Sequence, residues 1–233
     1  MFDLIAFDAD DTLWENNIIY IQAEQRFERI LAKYPLTGSI RLRLAEIENQ
    51  NIQYFGYGVM GFILSLAETA VEITGGKIYA NDIQAILRMA KEMITAEIRL
   101  FDQVETTLRY LYGRYQLILI TKGDLTHQQS KINRSGLLPF FSKVHILADK
   151  NRDAYKNILD QHSVSPSHFL MVGDSVRSDI NPVLEIGGWA VYVPNNDTWS
   201  HEKSELSEAN SGRFFKIDQL GQLPALLKKI DVE

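Results

Sequence analysis

Apolar and polar positions along the chain follow one rhythm up to about residue 100 and another beyond it. Leu4 to Phe7 is a short apolar run bounded by acids, which predicts a strand buried on both faces in a parallel sheet. From Trp14 to about Lys33 the period becomes helical, with Trp14, Ile18, Ile21, Phe27, Ile30 and Leu31 recurring on one face. Pro35 and Gly38 break this pattern. Residues from about 39 to 73 then hold two further helical patterns, interrupted by Gln53-Tyr54-Phe55-Gly56-Tyr57-Gly58. Gly75-Gly76 ends that stretch, and Asn81 or Asp82 can cap another helix running to about Ala96. Roughly 15–100 is therefore expected to be wholly helical.

Beyond residue 101 helices and strands alternate. The expected strands are Gln116 to Ile120 ending at Thr121, Val144 to Leu147, Phe169 to Val172, Trp189 to Val193 and Phe214 to Ile217. Helices are expected over about 102–112, 124–136, 151–162, 177–186 and 218–230. Strands alternating with helices argue for a parallel sheet with helices on both faces. The helical block then falls as an insert after the first strand, so the chain divides into a core of 1–14 and 101–233 and an insert of 15–100. The polar run from Asn195 to Gly212 reads as a surface loop.

Composition narrows the chemistry. At 233 residues, with 45% hydrophobic and 23% charged residues, the chain suits a globular core and not a disordered one. A net charge of −6 gives no global attraction to nucleic acid. Without cysteine there is no disulfide framework, thiol nucleophile or Cys-ligated metal. The five histidines show no i, i+4 pair and no zinc-like spacing, which argues against a histidine-ligated transition metal. The first residues carry no basic leader, and their apolar run is too short for a signal core or a membrane span. A cytoplasmic protein with no membrane partner is the expectation.

The polar residues that need explaining lie where strands end. Asp8, Asp10 and Asp11 follow the first strand, Thr121-Lys122-Gly123-Asp124 the second, Asp149-Lys150 the third, and Asp174-Ser175 with Asp179 the fourth. In open α/β sheets ligands bind outside the carboxyl ends of the strands, so these four loops can share one crevice. Crowded carboxylates either raise a pKa or recruit a cation. Several acids, a hydroxyl and one or two lysines are the ingredients for an oxygen-ligated cation beside a phosphate.

At these residues the chain resembles the haloacid dehalogenase-like hydrolase superfamily. Asp8-Ala9-Asp10-Asp11-Thr12 matches its Asp-x-Asp-x-Thr signature, and Thr121 its Ser/Thr after the second strand. Lys150 matches its lysine, and Gly173-Asp174-Ser175-Val176-Arg177-Ser178-Asp179 its Gly-Asp-x-x-x-x-Asp. The resemblance covers the whole core in order. It implies an α/β, Rossmann-like parallel-sheet core with an inserted all-helical cap. It also implies Mg²⁺-dependent hydrolysis of a small phosphorylated substrate through an aspartyl-phosphate.

Within that resemblance each residue has an expected role and a plainer alternative. Asp8 would attack phosphorus and ligate Mg²⁺, where otherwise it is a turn acid. Asp10 would protonate the leaving oxygen and then deprotonate water, its pKa adjusted by a neighbouring acid, while its backbone carbonyl completes the metal shell. Asp11 is expected to be a cap or turn residue. Thr121 offers a hydroxyl, and the amides after it at Lys122 and Gly123 a nest, for phosphate oxygens. Lys122 could instead point to solvent. Lys150, preferred over Lys156, would hold nucleophile and phosphate together. Asp174, turned by Gly173, would face the metal. Asp179 would act on the metal through water or orient Lys150, with Ser175 beside it and Arg177 left open between solvent, an acid and substrate.

Dehalogenation releases halide and needs no proton donor, so an acid at Asp10 favours phosphate esters. A phosphomutase using the same intermediate, and a non-catalytic phosphate- or partner-binding protein, are the alternatives. Selection of the substrate would fall to the insert. There Gln53 to Phe62 is an aromatic, glycine-rich segment that could approach a ligand or simply pack as helix core. Trp199-Ser200-His201-Glu202 lies in a polar loop that could border the crevice.

Overall fold

A computed structural model describes residues 2–195, 204–206 and 212–230. Trp199, His201 and Glu202, with most of the polar loop around them, lie outside the described residues. Strands β1 (Leu4–Phe7), β2 (Gln116–Lys122), β3 (Lys143–Leu147), β4 (Phe169–Gly173), β5 (Trp189–Tyr192) and β6 (Phe214–Lys216) form one parallel sheet in the order β3-β2-β1-β4-β5-β6. Alternate residues face opposite sides. Ile5, Phe7, Leu117, Leu119, Leu170 and Val172 belong to one buried cluster, while Leu4, Ala6, Ile118, Ile120, Phe169 and Met171 belong to another. That two-sided burial is why the strands read as unbroken apolar runs. The strand order reverses direction between β1 and β4, and the loops diverging there leave a crevice at the carboxyl end of the sheet.

The chain separates into two compact units, Met1–Asn17 with Ile98–Glu233, and Ile18–Glu97. The second is helical: α1 (Asn17–Leu31) opens it, followed by α2 (Ile40–Phe55), α3 (Val59–Ile73) and α4 (Ala80–Thr95). Phe27, Leu31, Leu44, Ile63, Leu66 and Ile86 lie in its own buried core. In the first unit, α5 (Val104–Leu111), α6 (Leu125–Ser135), α7 (Arg152–His162), α8 (Asn181–Glu185) and α9 (Leu223–Ile230) flank the sheet. No helix among the described residues is long and apolar enough to cross a membrane.

Several boundaries differ from the periodicity. Trp14 does not begin a helix. It is fully buried in the sheet unit and forms isolated bridges with Asp10 and Leu100, because Asp11 takes a left-handed conformation (φ 61°) and turns the chain first. Neither Asn81 nor Asp82 caps α4. Tyr79 holds the N-cap position, and the Asp82 carboxylate instead accepts hydrogen bonds from Lys33 at 2.9 Å and from the Tyr34 hydroxyl. The helix expected over 177–186 is a π turn, Val176–Ile180, followed by α8, because Pro182 can donate no amide to the helix ladder. The aromatic segment at 53–62 divides. Tyr54 and Phe55 end α2 exposed, Gly56 (φ 69°) and Gly58 (φ 129°) make the turn, and Phe62 is buried against Tyr20.

Candidate active site

Asp8 follows β1 directly, and its amide donates to the Val172 carbonyl of β4 at 2.9 Å, so the sheet itself places this side chain at the crevice. Lys150, buried just before α7, donates to Asp8 Oδ1 and, at 2.7 Å, to Asp179 Oδ1. Thr12 Oγ lies 3.1 Å from Asp8 Oδ2 and 3.3 Å from Asp174 Oδ1, and accepts the Asp174 amide at 3.0 Å. One hydroxyl thus joins the loops after β1 and β4. Oxygens of Asp8, Asp174 and Asp179 all lie within 4.8 Å of one another.

Three buried carboxylates face one ammonium here, and the pKa shifts of Asp8, Asp174 and Lys150 show the imbalance. Burial, with Asp179 reinforcing it against Lys150, raises Asp8 to about 7. Burial, then Asp8 and Asp179, pushes Asp174 well above the carboxylate range. Burial opposes the charge of Lys150, but Asp179 and Asp8 outweigh it and raise its pKa. A hard, multi-oxygen donor set with uncompensated negative charge fits a divalent cation.

Asp179 reaches this cluster because of two local features. The π turn keeps its backbone close, with the Asp179 amide donating to the Ser175 carbonyl at 2.8 Å while Asp179 Oδ2 accepts the Ser175 amide at 3.1 Å. Gly173 then leaves room for the side chain, since a Cβ there would sit 2.7 Å from that of Asp179. The glycine was expected to serve a tight turn. Gly173 is not among the positive-φ residues, and the close approach of Asp179 is the reason it must lack a side chain. Ser175 caps the π turn by accepting the Ser178 amide at 3.0 Å.

Asp10 occupies a different environment from Asp8. Lys131 donates to its Oδ1 at 2.6 Å and Oδ2 at 2.5 Å, Trp14 Nε1 to Oδ1 at 2.7 Å, and Gln128 Nε2 to Oδ2 at 2.9 Å. Burial favours the protonated form, but Lys131 and these hydrogen bonds prevail and hold its pKa below the usual value. A neighbouring acid was expected to adjust this pKa, and in the resting geometry Lys131 does so instead, downward.

Sequence reasoning missed Lys131, Gln128 and the role of Thr12. A signal existed for the first two: Gln128, Lys131 and Ile132 share the i, i+3, i+4 buried stripe of α6, where a lysine and a glutamine have no business unless they are paired. The remaining residues sit as follows. Asp11 turns away and accepts the Asn16 and Asn17 amides at 3.0 Å each, burial raising its pKa to about 6, so it is a local capping acid. Thr121 is buried at the end of β2, while Lys122 Nζ donates to Ser178 Oγ at 2.9 Å. The amide of Gly123 donates to the Leu147 carbonyl at 3.0 Å, so it extends the sheet and is not free to form a phosphate nest. Lys156 and Arg177 are exposed, Lys156 on the outer face of α7.

Comparisons with known proteins bear on the family and the fold. Residues 2–185 match the haloacid dehalogenase-like hydrolase family. A haloacid dehalogenase-like family hydrolase from Xanthomonas campestris superposes with a TM-score of 0.89 at 34% identity, over 99% of this chain and 92% of that one. A 2-haloacid dehalogenase from Pseudomonas syringae shares the fold at TM-score 0.66 and 20% identity, covering 99% and 100% of the two chains. Among curated relatives, the N-acylneuraminate-9-phosphatase of Mus musculus is 26% identical over 138 residues, 57% of this chain and 53% of that protein. Its Homo sapiens counterpart is 24% identical over 170 residues, 70% of this chain and 66% of that protein. The chain thus spans only about half to two thirds of the length of these relatives.

Proposed function

The chain belongs to the haloacid dehalogenase-like hydrolase family, and on that premise we propose that it is a Mg²⁺-dependent phosphatase that hydrolyses a small phosphorylated metabolite through an aspartyl-phosphate. The observation that carries this reading is the buried Asp8–Asp174–Asp179 cluster with Lys150 on the nucleophile. Mg²⁺ would be held by these carboxylates, with the Asp10 backbone carbonyl completing the set as the resemblance implies, and would offset the repulsion between Asp8 and an anionic substrate.

The chain's own residues then divide the work. Asp8 attacks phosphorus, and Lys150 keeps that carboxylate aimed and neutralises charge on the transferring group. Thr121 and Lys122, at the end of β2, hold the non-bridging oxygens. Asp10 gives a proton to the leaving oxygen and later takes one from water. A carboxylate gripped on both oxygens by an ammonium has no proton to give, so the Lys131 contact is its rest position, exchanged for the leaving oxygen during turnover. That task has no counterpart in dehalogenation, which favours phosphate esters over the chemistry named for the Pseudomonas syringae neighbour. The curated relatives named as phosphatases support the same choice, and their substrate's chemistry, a sugar-acid phosphate, sets the first compounds to assay.

The test is hydrolysis of p-nitrophenyl phosphate and a panel of phosphorylated metabolites with Mg²⁺. Activity should vanish with EDTA and in a folded Asp8→Asn variant. Wild-type turnover by Asp8→Asn would remove the covalent mechanism, and no turnover of any phosphate by the wild type would remove the phosphatase reading.

A further inference from the structure

Outside the carboxylate crevice, two histidines 17 residues apart in sequence meet on the surface of the sheet unit. His145 lies on β3, the edge strand, and His162 is the last residue of α7. Their Nε2 atoms are 3.1 Å apart, and Nδ1 of His162 lies 3.3 Å from the Gln116 amide on β2. Both rings are half-buried. Burial, then His162 and Lys143, lowers the pKa of His145 to about 4, so its ring is neutral at ordinary pH and carries a nitrogen lone pair that an ion can take in place of the hydrogen bond.

We propose that His145 and His162 form a site for a single divalent transition ion, Cu²⁺ most tightly, with Ni²⁺ and Zn²⁺ following. Two nitrogens 3.1 Å apart subtend about 100° at an ion roughly 2.0–2.1 Å from each, a bite suited to tetragonal or tetrahedral coordination. The donors sit on a strand and a helix end, so the backbone is in place, while the rings, with centroids 5.4 Å apart and Nε2 atoms facing each other, must each turn for both lone pairs to meet one ion. The helix end also favours a cation, because the last carbonyls of α7 carry the negative pole. Without metal the Nε2 pair shares one proton in a hydrogen bond. With metal that proton moves to Nδ1 of His162, where the Gln116 side-chain oxygen accepts it after an amide turn, and no proton is lost. Solvent completes the coordination. Lys143, whose charge acts on both rings, limits the affinity. The ligand set is nitrogen-based and lies apart from the oxygen cluster around Asp8, so the inference stands apart from the phosphatase reading.

The experiment uses untagged full-length protein in saturating Mg²⁺, to fill the carboxylate cluster, with one equivalent of Cu²⁺ read by electron paramagnetic resonance and by calorimetry. The wild type and Asp8→Asn should each show superhyperfine coupling to two imidazole nitrogens. His145→Gln and His162→Gln should each lose one coupling and bind about tenfold or more weakly. His168→Gln, a histidine whose partner is Asp3, should match the wild type. Absence of nitrogen coupling in the wild type, or unchanged coupling and affinity in both His145→Gln and His162→Gln, would overturn the site.

Discussion

Asp8 and Asp10 stand two residues apart on one turn, yet their surroundings are opposite. Around Asp8, three carboxylates share Lys150 and a threonine hydroxyl, and Asp8 and Asp174 both hold their protons more tightly than usual. Around Asp10, one carboxylate receives an ammonium, an indole and an amide, and its pKa falls. Burial alone does not decide what a carboxylate can do. The count of opposite charge does: the first region is short of positive charge and suits a cation, whereas the second is already complete.

The comparison predicts that losing either lysine has different consequences. Lys150→Met removes the ammonium from the region already short of positive charge, and breaking such a buried pair costs roughly 3–5 kcal/mol. Millimolar Mg²⁺ should return a good part of that loss in thermal unfolding, because the ion supplies the missing charge. Equal destabilisation with and without Mg²⁺ would break the comparison.

Lys131→Met acts on the compensated region. Its stability should respond to Mg²⁺ only as far as the wild type's does, and its defect should appear in the proton transfer assigned to Asp10, a step of about 10²–10⁴-fold in rate. Alkyl phosphates, whose leaving oxygen needs the proton, should suffer more than p-nitrophenyl phosphate. A uniform loss across leaving groups would make Lys131 a packing residue only.

A third buried acid, in the helical unit, sharpens the rule with a smaller effect. Glu48 is raised from 4.5 to about 7 by burial and then by the charge of Glu24. With the folded pKa above the unfolded one, the protonated form favours folding. This contribution is full below about pH 4.5 and is lost as pH rises through about 7. Glu48→Gln should therefore raise the unfolding temperature at pH 8, by an amount equivalent to at most about 3 kcal/mol, and change it little at pH 5. An equal shift at both pH values would show that the gain is unrelated to charge.

Much of this was legible along the chain because the strands are buried on both faces and their ends are marked by acids. Asp8, Lys150, Asp174 and Asp179 meet because a parallel sheet brings all its carboxyl ends to one edge, a consequence of topology that needs no side-chain detail. The helical insert was visible from its period. What the pattern could not show was pairing in space. Nothing near Asp10 in sequence announces Lys131, 121 residues away, so the adjustment of its pKa was assigned to a neighbouring acid. Gly173 was assigned a turn because glycine usually serves one, whereas the constraint comes from the Asp179 side chain. The His145 and His162 rings escaped a search for i, i+4 spacing because a strand and a helix end unite them.

The central claim is that the Asp8 region, and not the Asp10 region, takes the divalent ion. Calorimetric Mg²⁺ titration of the wild type, Asp174→Asn and Lys131→Met tests it most directly. The account predicts one site in the wild type, with protons released as Asp8 and Asp174 give theirs up, the same site in Lys131→Met, and none in Asp174→Asn. Undiminished Mg²⁺ binding by Asp174→Asn would contradict it.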